Sequence, residues 1–280
     1  MNQQQVEKRA FALLWGAASL TVLILLVILG YILVQGLPHV NWEFLTTEPA
    51  EMGQSGGIFS SIIGTIYFVA VSLIVAAPLG IGAGIYLAEY TRASWFTGVV
   101  RFGIDALAAV PSIVFGLFGF AFFVVLLKPL THGWSIVSGA LTAACMVLPT
   151  LIRTAEEALR AVPQEYREGS LALGATRWQT IVRVVLPTAA PGILTGVILS
   201  IGRVVGETAA LLLTLGGSLR LPRSIFEPAR TMAIHLYLVA MEVGAMDKAF
   251  GTAAVLVLTV LVVNLAATWL TRRYFMRLVR

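Results

Sequence analysis

Six stretches of this chain are long, apolar and almost free of charge, and they restrict its fold more than any other feature. They run over residues 10–34, 61–88, 106–127, 134–152, 189–215 and 250–271. A helix rising about 1.5 Å per residue needs about 20 residues to cross a hydrocarbon core of about 30 Å. Each stretch has that length, and only 189–215 contains charges, Arg203 and Glu207. Charged residues make up 12% of the chain and apolar ones 58%, roughly half the charge with which a soluble domain covers its surface. The chain therefore reads as an all-α integral membrane protein with six transmembrane helices. The first stretch exceeds the apolar part of a cleaved signal peptide and no small-residue cleavage site follows it, so it reads as a retained span.

Lysine and arginine set the orientation. With the N-terminus inside, the inner face collects Lys8, Arg9, Arg92, Arg101, Arg153, Arg160, Arg167, Arg177, Arg183, Arg272, Arg273, Arg277 and Arg280. The outer face receives only Lys128, Arg220, Arg223, Arg230 and Lys248. Both termini are thus expected in the cytoplasm.

Several functions are disfavoured on the same page. A net charge of +5 without a lysine/arginine run does not suit nucleic acid. The single cysteine, Cys145, lies in an apolar stretch and reads as a packing residue. His39, His132 and His235 are scattered, so no metal site is expected. No nucleophile–base pair suggests a membrane hydrolase. The chain lacks a phosphate-cradling G-x-x-x-x-G-K-[ST] loop, and no glycine is followed by lysine. It is not expected to be an enzyme, and any energy for transport has to come from a partner.

Residues 153–186, between the fourth and fifth stretches, are too polar to enter lipid. Pro163 suits a first helical turn, and the residues after it predict about two turns that Gly174 ends by taking φ > 0. Thr176 is a plausible N-cap for a second helix stopped by Pro187, with Trp178, Ile181, Val182 and Val185 on one face. Helix, glycine turn and helix make a compact knob. It fits either an amphipathic loop lying in the lipid interface or an interface for another protein.

Arg203 and Glu207 are four residues apart, on one face of a helix. Ionisable groups within a membrane are costly and usually face a protein interior or an aqueous path. The pair either locks the bundle or lies on a substrate path, with Arg203 offering a forked contact to an oxyanion and Glu207 moderating its charge. Glu89 and Asp105 fall at the inner ends of spans and are given no chemistry. The glycines of "PLGIGAGIY" (78–86) suit close helix packing, and Pro111 and Gly116 a bend in the third span.

Glu168, Gly174, Leu186 and Pro187 reproduce the spacing of a known signature. The segment resembles the coupling loop of ABC importer permeases, whose pattern is E-A-A-x3-G-x9-I-x-L-P; here Gly169 and Ser170 replace the alanines and Val184 the isoleucine. "GGIFSSIIGTIYFVAVSLIVAAPLGIGAGIYLAEY" (56–90), "AVPSIVFGLFG" (109–119) and "GRVVGETAALLLT" (202–214) are similar to the phosphate-specific PstC/PstA branch. "FEPARTMAIHLYLVAMEV" is more similar to its PstA member. The resemblance implies a type I importer permease core formed by the last five spans (residues 58–275, coupling loop 153–188), preceded by a separate N-terminal span and outer loop (1–57). It implies Glu168, Gly174, Ala175, Trp178, Leu186 and Pro187 at the contact with an ATPase. It further implies a PstC-like permease as heterodimer partner, a PstB-like ATPase dimer that binds the ATP and magnesium, and a PstS-like phosphate-binding protein outside. No cofactor is expected in this chain, and a bacterial inner membrane is the expected location. Import of molybdate, sulfate or phosphonate is the alternative within this class. A secondary transporter would leave the Glu168–Pro187 spacing unexplained.

Overall fold

The computed structural model describes residues 3–91 and 94–275; Arg92, Arg277 and Arg280 of the charge bias lie outside them. The principal helices are α1 (Gln3–Gly36), α2 (Phe59–Ile85), α3 (Trp95–Ala108), α4 (Ser112–Gly119), α5 (Ile136–Arg160), α6 (Gln164–Ala172), α7 (Arg177–Thr180), α8 (Leu186–Val205), α9 (Ala209–Thr214), α10 (Met232–Leu238) and α11 (Met246–Phe275). Wider π-turns extend α2 through Tyr90, α4 through Leu126 and α10 through Val243, and another joins α7 to α8. A two-residue antiparallel pair, Pro49–Ala50 with Ser55–Gly56, folds the loop after α1.

Among the described residues five helices are long and apolar enough to cross a membrane, and α3 with α4 makes a sixth crossing if that bent pair is one span. The first, second, fourth and sixth apolar stretches fall on Phe11–His39, Phe59–Tyr90, Ile136–Arg160 and Met246–Trp269. The other two depart from expectation. The stretch 106–127 is not one helix, because α3 and α4 meet at 99°. Pro111 is the cause: it disfavours a helical conformation at Val110 and sits at φ −60°, ψ 142°, ahead of α4. Gly116 is not a bend. A Cβ there would come within 2.8 Å of Ala210 Cα, so its smallness serves close packing on α9.

The stretch 189–215 is likewise broken. Its helix starts earlier, at Arg177, and ends at Val205, with α9 beginning anew at Ala209. Pro187 therefore does not stop the second helix of the knob. It sits in the turn after the π-turn Ile181–Val185, where the regular ladder is already interrupted and the missing N–H costs little. That same π-turn splits the anticipated apolar face: Ile181 and Val185 are buried, while Trp178 and Val182 are exposed.

α5 is the hub, with 61% of its apolar window buried against 0% for α1. Small residues allow this. Gly80 and Gly84 of α2 lie so close to α5 that added Cβ atoms would stand 2.5 Å from Leu151 Cβ and 2.6 Å from Ala155 Cβ. The packing role expected of these glycines is met, and Phe68, Ile136, Val147, Leu151, Leu211 and Ile234 fill the core around them. α1 packs on α11, where Gly36 approaches the Phe250 carbonyl and Tyr31 meets Phe250 edge-on at 5.9 Å.

Candidate functional site

The knob forms as a capped hairpin. α6 ends in a Schellman turn: Gly174 adopts φ +83°, its N–H donates to Leu171 O at 3.0 Å, and Ala175 N–H donates to Ser170 O at 3.2 Å. Thr176 caps α7 in a reciprocal box with Gln179. Ser170 and Thr180 hydroxyls lie 3.0 Å apart and join the two arms. Nothing stands within 4 Å of a Cβ built on Gly174, so backbone sign alone demands glycine there.

The hairpin presents an uncovered surface. Leu173 is 92% exposed and Trp178 61%. Glu168 and Pro187 are also exposed, whereas Ala175 and Leu186 are half-buried, Leu186 against the cluster of Leu159, Val162 and Ile193. The residues expected at an ATPase contact therefore lie on one hairpin, but Leu186 turns partly into the bundle.

What anchors this hairpin escaped the sequence reading. Glu89, at the end of α2, is 8% exposed rather than hydrated. Arg167 of α6 donates to it from Nη2 at 2.7 Å, and to the carbonyls of Leu159 and Val162 at 2.8 and 2.6 Å. Arg177 of α7 donates to the Glu89 carbonyl and lies over the Tyr90 ring at 5.1 Å. One residue of α2 thus holds both arms of the hairpin. Beside it, an open depression of about 730 Å³ is bordered by Glu89, Arg160, Gln164, Arg167 and Arg177.

A second buried acid, Glu156 of α5, sits among arginines: Arg101 and Arg160 each at 2.9 Å and Arg153 at 3.8 Å. Arg153 also pairs with Asp105 of α3, so Asp105 is a tie between α3 and α5. The signal in the sequence was an acid at the end of an apolar span followed by an arginine-rich loop, which is too common a pattern to assign partners.

Arg203 and Glu207 are not brought together. Arg203 is exposed in the last turns of α8 and makes no ion pair among the described residues. Glu207 lies past the helix end, where its carboxylate accepts the Ala210 N–H at 3.1 Å and tethers the start of α9. The i, i+4 geometry fails because the helix ends before the fourth residue, at Gly206. Among the described residues no group of three or more His, Cys, Asp or Glu side chains has the arrangement of a metal site.

Residues 80–280 match the family described as binding-protein-dependent transport system inner membrane component. The "Probable ABC transporter permease protein YqgI" of Bacillus subtilis is 37% identical over 99% of both chains. The phosphate transport system permease protein PstA of Xylella fastidiosa is 37% identical over 85% of this chain and 83% of its own. PstA 1 of Mycobacterium tuberculosis is 38% identical over 76% and 70%. Among solved structures, a bacterial alginate ABC transporter aligns with TM-score 0.70 and 15% identity, over 98% of this chain and 99% of its own. The MetNI methionine transporter aligns with TM-score 0.58 and 17% identity, over 78% and 94%. These two share the fold.

Proposed function

The chain belongs to the binding-protein-dependent transport system inner membrane components, so it is a multi-pass ABC importer permease subunit, and we propose that its cargo is inorganic phosphate. The observation that carries the cargo is the similarity to PstA permeases over most of the chain. Arg203, exposed and without an ion pair among the described residues, supports it, since a planar fork suits the oxygens of phosphate. The working complex pairs this chain with a PstC-like permease, a PstB-like ATPase dimer that supplies ATP and magnesium, and a PstS-like binding protein.

In this reading residues 58–275 make half of the pathway, and the hairpin docks its exposed Leu173 and Trp178 on the ATPase. Glu168 is exposed on α6, the arm that ends at Leu173, where it can meet a group on the partner. Because Glu89 grips both arms, a push on the hairpin passes into α2 as well as along α8. The complex reconstituted in proteoliposomes is expected to accumulate labelled phosphate only with ATP inside the ATPase compartment. Equal or better uptake of sulfate, molybdate or a phosphonate in competition would overturn the cargo.

The arginine bias places the hairpin and both termini in the cytoplasm. Gln54 and Gln164 are both exposed. Single cysteines there, in a Cys145→Ser background, are expected to react with an impermeant reagent from opposite faces of the membrane. Reaction of both from one face would refute the orientation.

A further inference from the structure

Among the described residues the buried acids Glu89 and Glu156 are both paired with arginines, which makes the buried Arg230 an exception. It follows the segment in which Gly216 bridges to Ala229, just before α10. Its side chain is largely withdrawn from solvent, with the residue 5% exposed. Nε donates to Gly217 O at 3.0 Å, yet the buried Nη1 has no acceptor among the described residues. No carboxylate among them stands within ion-pair distance; Glu242 acts on it only from farther away.

The surroundings hold Arg230 in place without neutralising it. Its carbonyl presses on α2, where a Cβ on Gly64 would lie 2.7 Å from that oxygen, and Met232 N–H donates to Thr65 Oγ1 at 2.9 Å. His235, 1% exposed, is held down to about 4, first by burial and second by Arg230, so it is neutral near pH 7. A buried cation without a partner costs several kcal/mol, and an apolar side chain of similar volume would pack at less cost. Such a group suggests a ligand.

Access is close at hand. Ser218 and Pro228 border an open pocket of about 770 Å³, which also presents Arg220, Arg223, Glu48 and Glu227. Its acids and bases are matched in number, so the pocket itself is a poor anion trap. Arg230 is tied to Gly217, the neighbour of Ser218. The strand-like pairing beside it rests on Gly217 N–H to Ala229 O at 3.0 Å and Ala229 N–H to Leu215 O at 3.2 Å, bonds that together cost only about 1–3 kcal/mol to open.

We propose that Arg230 is a second anion site on the outer side of the pathway, occluded in this conformation, which receives a tetrahedral oxyanion when the Gly216–Ala229 pairing parts. The identity of the ion rests on the phosphate reading above. The test uses the complete reconstituted complex, inorganic phosphate, and the variants Arg230→Gln and Arg230→Met. Expected are an unreduced thermal midpoint, ATPase stimulation by the loaded binding protein within twofold of wild type, and phosphate uptake lowered about tenfold or more, as for loss of a charge-assisted contact. Uptake within twofold of wild type by either stable variant would overturn the site. So would a parallel fall of ATPase stimulation and uptake, or failure of both variants to assemble, since each marks a structural role. If the wild type takes up sulfate or molybdate instead, only the cargo assignment fails, and the same comparison is read with that ion.

Discussion

Arg203→Gln is expected to lower phosphate uptake about 100-fold or more, the scale on which removing one preorganised donor acts at a charged reaction centre. Assembly of the complex, and phosphate binding by the external binding protein, should persist. The reasoning starts from cost: an arginine in a spanning helix has to face an aqueous path or another subunit. Arg203 is exposed on α8, and its guanidinium has no carboxylate at ion-pair distance among the described residues. Arg203→Lys should rescue poorly, because it keeps the charge and loses the two-point fork. Glu207→Gln weakens the hold on Ala210 N–H, which costs about 1 kcal/mol at a helix start, and should slow turnover more than assembly. A lock between the two residues would predict that each single change destabilises the bundle and that the double change restores it. Thermal stability and uptake of the purified complex, measured for both singles and the double, decide the matter. Normal uptake by a stable Arg203→Gln/Glu207→Gln complex would exclude the pathway role.

The second large effect is expected at the hairpin. Gly174→Leu should abolish transport and ATPase stimulation while leaving membrane insertion intact. Leucine finds room at this position, so the effect comes from φ +83°, which costs about 1–2 kcal/mol for a residue with a Cβ. Relieving that strain unwinds the Schellman turn and swings α6 away from α7. Glu89→Gln should separate the two activities differently. The hairpin still docks and Arg177 keeps its bond to the backbone carbonyl of residue 89, but Arg167 loses its carboxylate partner, so ATP hydrolysis should continue while uptake falls at least about tenfold, as when a buried pair loses one member. Wild-type coupling in a reconstituted Gly174→Leu complex would defeat the hinge, and proportional loss of both activities in Glu89→Gln would defeat the tether.

The elements legible from sequence were those whose causes are local. Four spans appeared with starts within about four residues of their structural bounds and ends within about eight, because hydropathy over a window of about 20 residues is enough to specify lipid burial. Gly174 and Thr176 were legible for a similar reason: a positive φ and an N-cap are decided within one turn of chain. A bend at Pro111 was legible but not its 99° sharpness, and the break at residues 206–208 was not legible. A window of about 20 residues averages over Pro111 and over Gly206, Glu207 and Thr208, so mean hydropathy stays high across both.

The pairing of charges required the fold. Arg167 and Glu89 are 78 residues apart, and Arg101 and Glu156 are 55 apart. Any of several arginines beside the same span ends has equal claim on those acids until helix packing sets the distances. The isolation of Arg230 is the same problem in reverse: its backbone packs on Gly64 and the nearby Met232 N–H is held by Thr65, both on α2 and more than half the chain away. Sequence alone determined that the chain spans a membrane and carries a capped polar hairpin, because transfer to lipid and turn conformation are properties of short segments. Tertiary structure alone decided which charges are neutralised and which are left free, because Coulomb energy and desolvation depend on distances that only packing creates.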